Sequence, residues 1–171
     1  MTKDQFIQEV LPIQHSLYRY VLSIVFEEEL AKDIVQEVLL KLWDQRVKLS
    51  TINNIEAWGI RVARNLAYDK LRLANRRTEP IDRVVHQFVA SSFPDKEVES
   101  EDLLQAVKEL MQDLPEKQQE IFRLRELLGY SNAEIEEILS LDRNQVKVNL
   151  FRARQKIKAN LLRLINYGLD E

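Results

Sequence analysis

At 171 residues with 45% apolar side chains, the chain is long enough for one or two small domains with proper cores, and its three glycines and four prolines leave few sites for tight hairpins, so an all-α fold is expected. Cysteine is absent, which excludes thiol chemistry, disulfides and thiolate metal sites. No uncharged apolar run approaches the ~18 residues needed to cross a bilayer, and the start lacks an apolar signal core; the expectation is a soluble protein of a reducing cytoplasm, without membrane insertion.

The first helical stretch is predicted over about Lys3 to Phe26, with apolar positions at Phe6, Val10, Leu11, Leu17, Val21, Leu22 and Val25 and with Pro12 marking a break. Glu27, Glu28 and Glu29 read as the solvated start of the next helix, where carboxylates favour the dipole, and not as a metal cluster. That helix, about Glu29 to Arg46, places Ile34, Val38, Leu42 and Trp43 on an inner stripe and leaves Asp33, Gln36, Glu37, Leu40 and Lys41 off it. A polar loop is expected from Val47 to Asn53.

The third helix is predicted to begin at Asn53, with Glu56 three residues on as its capping partner, and to run to about Asn75. It is apolar through Trp58, Val62, Leu66 and Leu73 and again through Ile60, Ala63, Ala67 and Leu71. Its remaining face carries Arg61, Arg64, Asn65, Tyr68 and Arg72, one stripe of cations with a tyrosine inside it. Cations for phosphates and an aromatic platform for bases suit single-stranded or melted DNA. A merely solvated face fits this helix equally well. Asp69 is expected to pair with neighbouring bases.

From Arg76 to about Ser100 periodicity fails, and the stretch reads as a linker that includes His86. A helix at about Glu101–Asp113 follows, then one starting near Pro115, a favourable first-turn residue, and ending at Gly129, a favourable terminator. Ser131 with Glu134, and Asp142 with Gln145, are reciprocal capping pairs that open two further helices joined by a tight turn. The last holds Arg143, Lys147, Arg152, Arg154, Lys156, Lys158 and Arg163 without one acid before Asp170, a charge run that asks for something negative alongside.

At a period of 3.6, Val146, Leu150, Ala153, Ile157, Leu161 and Leu164 form its inner stripe. Asn144, Lys147, Val148, Phe151 and Gln155 then face outward, with Arg152 on the flank. Donors mixed with apolar groups suit base edges, because amides and ammonium groups meet purine acceptors and apolar groups meet thymine methyls. The unit thus reads as a helix-turn-helix, and the charge layout agrees. Residues 1–60, 61–94, 95–142 and 143–171 carry −3, +4, −9 and +5, so two basic islands sit in an acidic body.

These segments resemble a known family. Asp33-Ile-Val-Gln-Glu-Val-Leu-Leu-Lys-Leu-Trp43 and Asn54-Ile-Glu-Ala-Trp-Gly-Ile-Arg-Val-Ala-Arg-Asn-Leu-Ala-Tyr-Asp-Lys-Leu-Arg72 resemble the second region of bacterial RNA polymerase sigma factors. Leu114-Pro115, Gly129-Tyr-Ser, Glu134-Ile and Val146-Lys-Val-Asn-Leu-Phe-Arg-Ala-Arg154 resemble the fourth. With only these two regions the chain resembles an extracytoplasmic-function (ECF) sigma factor, in wording closest to the Bacteroidetes-type members.

The resemblance implies a region 2 domain of three helices over residues 1–76, a linker over 77–100 and a region 4 domain of four helices over 101–171. It implies that Asp33, Gln36, Glu37, Leu40 and Lys41 dock on the clamp helices of the polymerase β′ subunit, with the β subunit as a further contact. Lys48, Ser50, Thr51, Asn53 and Asn54, with Arg61, Arg64, Asn65, Tyr68 and Arg72, would hold the promoter −10 element, where a base is unstacked and captured. Arg143, Asn144, Lys147, Val148, Phe151 and Arg152 would read the −35 element in the major groove. An anti-sigma partner is implied as well.

Ser140, where a turn glycine is common, Glu136, where a small residue is usual, and Val148-Asn149, in place of a frequent Ser-Arg pair, depart from the family pattern. A DNA-binding regulator acting without polymerase would use the same C-terminal motif but needs a sensor or dimerisation module, which residues 1–75 do not resemble. An adaptor that offers its basic helix to an acidic protein is the other reading. No enzyme is expected, since His15 and His86 lie on unrelated segments and no phosphate loop exists; no cofactor or metal is expected either.

Overall fold

The computed structural model describes residues 1–75 and 108–168, which fall into an N-terminal and a C-terminal compact unit. The predicted linker, His86 and the first part of the helix expected from Glu101 lie outside the described residues. All regular elements among the described residues are helical.

The N-terminal unit holds α1 (Lys3–Glu9), a 3-10 turn (Leu11–Ile13), α2 (Gln14–Val25), α3 (Glu28–Asp44), α4 (Arg46–Leu49) and α5 (Ile55–Asn75). Pro12 sits in the first turn of the 3-10 segment and breaks the N-terminal stretch, as its missing N–H dictates. Of the apolar positions there, Leu11 is exposed, whereas Phe6, Val10, Leu17, Val21, Leu22 and Val25 are buried. The three long helices α2, α3 and α5 pack pairwise on one another. Ile34, Val38 and Leu42 of α3 are fully buried, with Ala31 and Val35 beside them; each large apolar side chain contributes about 1.5–3 kcal/mol. Close approach of α5 to α2 occurs at Gly59, where a methyl would stand 3.1 Å from Ile13 Cδ1 and 3.2 Å from Leu17 Cδ2.

Two features between α3 and α5 differ from the sequence expectation. The polar loop is half helical, because Leu49 turns inward and is buried, drawing Arg46–Leu49 into α4. The helix cap falls on Asn54 and not Asn53: Asn54 Oδ1 accepts from the Ala57 N–H at 2.9 Å. Ala57 and Ile60 on the inner face of the first turns are buried. At the far end Leu73 is exposed, because α5 there outruns its neighbours.

In the C-terminal unit a helix described from residue 108 ends at 112 (α6) and is followed by α7 (Glu116–Phe122), a π-helical turn (Arg123–Leu127), α8 (Asn132–Leu139) and α9 (Arg143–Gly168). Pro115 precedes the first residue of α7, and Gly129 takes the left-handed conformation (φ 78°) that ends the segment. Within it Glu120 and Arg123, both buried, form an ion pair at 2.5 Å. Both predicted capping boxes are present, Ser131 with Glu134 and Asp142 with Gln145. Between them Ser140 adopts φ 53°, the conformation for which glycine is the low-cost residue.

Helix α9 packs on α7 and α8 through Val146, Leu150 and Ala153, all buried, with Ile157 half-buried. The stripe then departs from the prediction. Asn160 is buried, donating to Asp113 Oδ2 at 3.2 Å, while Leu161 is 42% exposed. α9 runs beyond the apolar surface of its neighbours, and the contact that remains is a polar one to the residue after α6. The Leu164 side chain lies outside the described residues.

Candidate nucleic-acid interface

Burying Val146, Leu150 and Ala153 obliges the opposite side of α9 to face outward. Arg143, Asn144, Lys147 and Arg152 are exposed, and so are two apolar residues, Val148 at 44% and Phe151 at 63%. An exposed phenylalanine amid amide and cationic donors, opposite the buried Val146, Leu150 and Ala153, presents chemistry that suits base edges in a major groove. Not every base of α9 belongs to this surface. Arg154 donates through Nε to Glu126 Oε1 at 2.7 Å and through its terminal nitrogen to the same oxygen, tying α9 to the π-helical turn. Asn149 Nδ2 donates to the Gln145 carbonyl at 2.7 Å, so this amide is spent within the helix. Glu136 is half-buried on α8 and its carbonyl accepts from the Leu141 N–H, closing the turn.

In the N-terminal unit the turn after α4 and the basic stripe of α5 lie together around one side chain. Trp58 is half-buried, and cations approach its ring from both segments: Lys48 Nζ lies 5.3 Å and the Arg61 guanidinium 5.8 Å from the centroid. Its Nε1 is buried with no hydrogen-bond partner. On the same stripe Arg64 lies over the Tyr68 ring at 5.3 Å, Asn65 is exposed, and Arg72 pairs with Asp69 at 3.6 Å as predicted for Asp69. Ser50, Thr51 and Asn53 are exposed, whereas Asn54 is half-buried because it caps α5. Sequence periodicity assigns Trp58 to the core. Its role in gathering Lys48 and Arg61 emerges only when α4 and α5 are placed side by side.

On α3, Asp33, Gln36, Leu40 and Lys41 are exposed, Leu40 at 64%, and Glu37 is half-buried. Glu37 bridges Lys41 at 3.5 Å and Lys70 of α5 at 3.3 Å, which fixes α3 against α5 while leaving Leu40 open. Trp43 is not on this surface: its ring meets Phe6 edge to face at 5.1 Å and lies 4.6 Å beneath the Arg46 guanidinium. Beside Gln36 a groove of about 620 Å³ opens, lined by Leu11, Pro12, His15, Tyr18, Lys32 and Val35 among others. Burial and the nearby Glu28 carboxylate raise the Tyr18 hydroxyl above its ordinary pKa.

An outward face of apolar and cationic groups in one unit, and cations gathered round an aromatic ring in the other, give both units chemistry suited to nucleic acid. Residues 10–77 match the family described as sigma-70 region 2, and residues 104–157 match sigma-70 region 4. The chain is 26% identical to the ECF RNA polymerase sigma factor SigM of Bacillus subtilis over 100% of this chain and 99% of that one. It is 30% identical to the ECF RNA polymerase sigma-E factor of Escherichia coli, covering 78% of this chain and 74% of the relative. In structure it is similar to the sigma factor RpoE of Bartonella quintana, solved with the anti-sigma factor NepR (TM-score 0.66, 25% identity, 94% and 98% of the two chains). It shares the fold of CnrH, solved with the cytosolic domain of CnrY (TM-score 0.65, 22% identity, 94% and 89%). The chain belongs to the ECF RNA polymerase sigma factors, initiation factors that direct the polymerase to promoters.

Proposed function

We propose that this sigma factor divides its work between the two units as follows. The α3 face of Asp33, Gln36, Glu37, Leu40 and Lys41 docks on the β′ clamp helices of core polymerase, because an exposed leucine ringed by charges suits a protein interface. The turn residues Lys48, Ser50, Thr51, Asn53 and Asn54, with Arg61, Arg64, Asn65, Tyr68 and Arg72, hold the melted −10 element; stacking and phosphate contacts offset the few kcal/mol that unstacking a base costs. Arg143, Asn144, Lys147, Val148, Phe151 and Arg152 read the −35 duplex. Functionally the chain divides into residues 1–76, a linker 77–100 and residues 101–171.

The observation that carries this reading is the outward face of α9, where Phe151 and Val148 stand exposed while Val146, Leu150 and Ala153 opposite them are buried. A stand-alone regulator would share that face but would not need the open α3 surface or the cation-ringed Trp58. The protein acts as a non-enzymatic factor in the bacterial cytoplasm; among the described residues no helix is long and apolar enough to cross a membrane. The wording of residues 33–43 and 54–72 supports a Bacteroidetes-type member. The anti-sigma complex of its RpoE relative supports an anti-sigma partner here too.

The test is run-off transcription on a genomic fragment library with core polymerase from a related bacterium, with and without the protein. Discrete new transcripts sharing upstream elements are expected. Core binding should be lost in Leu40→Asp, and Lys147→Ala and Arg152→Ala should each weaken duplex −35 binding by ~1–3 kcal/mol. Unchanged promoter activity in both α9 variants would refute the −35 assignment, and absence of core binding by the wild type would return the lead to the stand-alone regulator.

A further inference from the structure

Helix α9 packs through a seam that has one polar member. Val146, Leu150, Ala153, Ile157 and Asn160 follow one another at intervals of four, three, four and three residues, so all five fall on one side of the helix. The first three and Asn160 are buried, Ile157 is half-buried, and the Asn160 amide donates to Asp113 Oδ2 at 3.2 Å. Apolar burial does not dictate this choice. At about 100° per residue, Asn160 and Leu161 lie roughly 50° to either side of the stripe formed by the four apolar members, so either could be turned inward. The hydrophobic effect, which has no direction, favours Leu161, yet Leu161 stands 42% exposed. The directional contact at this point is the bond to Asp113, an exposed residue in the turn between α6 and α7.

Resting on the assignment of the outward face of α9 to the −35 duplex, we propose that Asn160 is a positioning residue: its bond to Asp113 fixes the rotation of α9 about its own axis, and with it the direction in which Lys147, Phe151 and Arg152 are presented. A single buried asparagine on an otherwise apolar seam sets register between packed helices at a cost in stability. Rotation matters because those side chains stand on the same rigid rod. With side-chain ends about 5 Å from the helix axis, a turn of about 25° carries them roughly 2 Å, more than a base-edge hydrogen bond tolerates. Asn160 lies about two to four helical turns from them and acts without touching DNA.

The test uses the full chain assembled with core polymerase and two promoter fragments, one with the −35 sequence recovered by run-off transcription and one with that sequence scrambled. Asn160→Leu is expected to lower the ratio of the two affinities roughly 3- to 10-fold, the worth of one hydrogen bond, through weaker binding of the first fragment alone. Its urea midpoint should equal or exceed that of the wild type, because a leucine joins the seam and the exposed Asp113 is left to water. Asp113→Ala should lower the ratio to the same extent, whereas Asp113→Asn, which keeps an acceptor oxygen, should match the wild type. An undiminished ratio in Asn160→Leu and Asp113→Ala, while Lys147→Ala still weakens binding of the first fragment, overturns the proposal and leaves the −35 assignment standing. A ratio that falls in Asn160→Leu together with the urea midpoint, and not in Asp113→Ala, also overturns it, as the mark of a merely structural contact. If the wild type binds both fragments alike, the −35 assignment itself falls.

Discussion

The pairing of Arg154 with Glu126 makes a prediction that charge counting along α9 contradicts. Helical geometry puts Arg154 only about 20° around the helix from Lys147, two turns away, so by position alone it would join the phosphate-binding charges. Both its Nε and its terminal nitrogen are instead given to Glu126 Oε1. A cation held by a carboxylate releases no counterions on DNA binding. Each lysine or arginine that neutralises a phosphate adds about 0.9 to the slope of log affinity against log salt. Arg154→Gln should therefore leave the slope for −35 duplex unchanged, whereas Lys147→Ala should lower it by about 0.9 if Lys147 contacts a phosphate. Glu126→Gln frees the guanidinium and should raise the slope by about 0.9, so that a fourfold rise in salt separates variant from wild type by about 3.5-fold in affinity. The pair is partly exposed and worth at most ~1 kcal/mol, so neither substitution should unfold the unit. Fluorescence anisotropy with a labelled duplex between 50 and 200 mM salt reads all three slopes. If Arg154→Gln flattened the slope as much as Lys147→Ala, Arg154 would be on DNA and the pairing argument would be wrong.

Three further outcomes are expected. Ser140→Gly should stabilise the protein by about 0.5–1 kcal/mol, because relief of the left-handed backbone exceeds the entropy glycine adds to the unfolded chain; a lower urea midpoint would refute this. Glu120→Gln should cost about 3 kcal/mol, since it removes the charge that faces buried Arg123, and an unchanged thermal midpoint would mean the pair is dispensable. Asn54→Asp keeps the oxygen that caps α5 and places a favourable charge at the helix start, while removing the amide donor. Stability should hold and promoter opening should slow, whereas Asn54→Ala loses about 1 kcal/mol of cap as well; equal opening in Asn54→Asp and wild type would remove the amide from base contact.

How much of this was legible in the sequence depended on whether the determining interaction was local. The break at Pro12, the boxes at Ser131 with Glu134 and Asp142 with Gln145, the terminator Gly129 and the outward face of α9 all follow from contacts within one turn or from a period of 3.6, and the chain alone determines them. The cap at Asn54 in place of Asn53 could not be read this way, because either of two adjacent asparagines can cap and Glu56, three residues after Asn53, favours the one that the structure does not use. Nothing local marks Glu120 and Arg123 for burial, which comes only when the fold closes over them, and Leu49 reads as part of a polar loop until it finds a core. The bonds of Glu37 to Lys70, Glu126 to Arg154 and Asp113 to Asn160 join residues on separate helices. Periodicity fixes which face of a helix is turned inward, but it carries no information on which residue of another helix that face will meet. For that reason the outward faces belong to the sequence, while which of their charges the protein itself pairs, as Glu126 pairs Arg154, belongs to the tertiary structure.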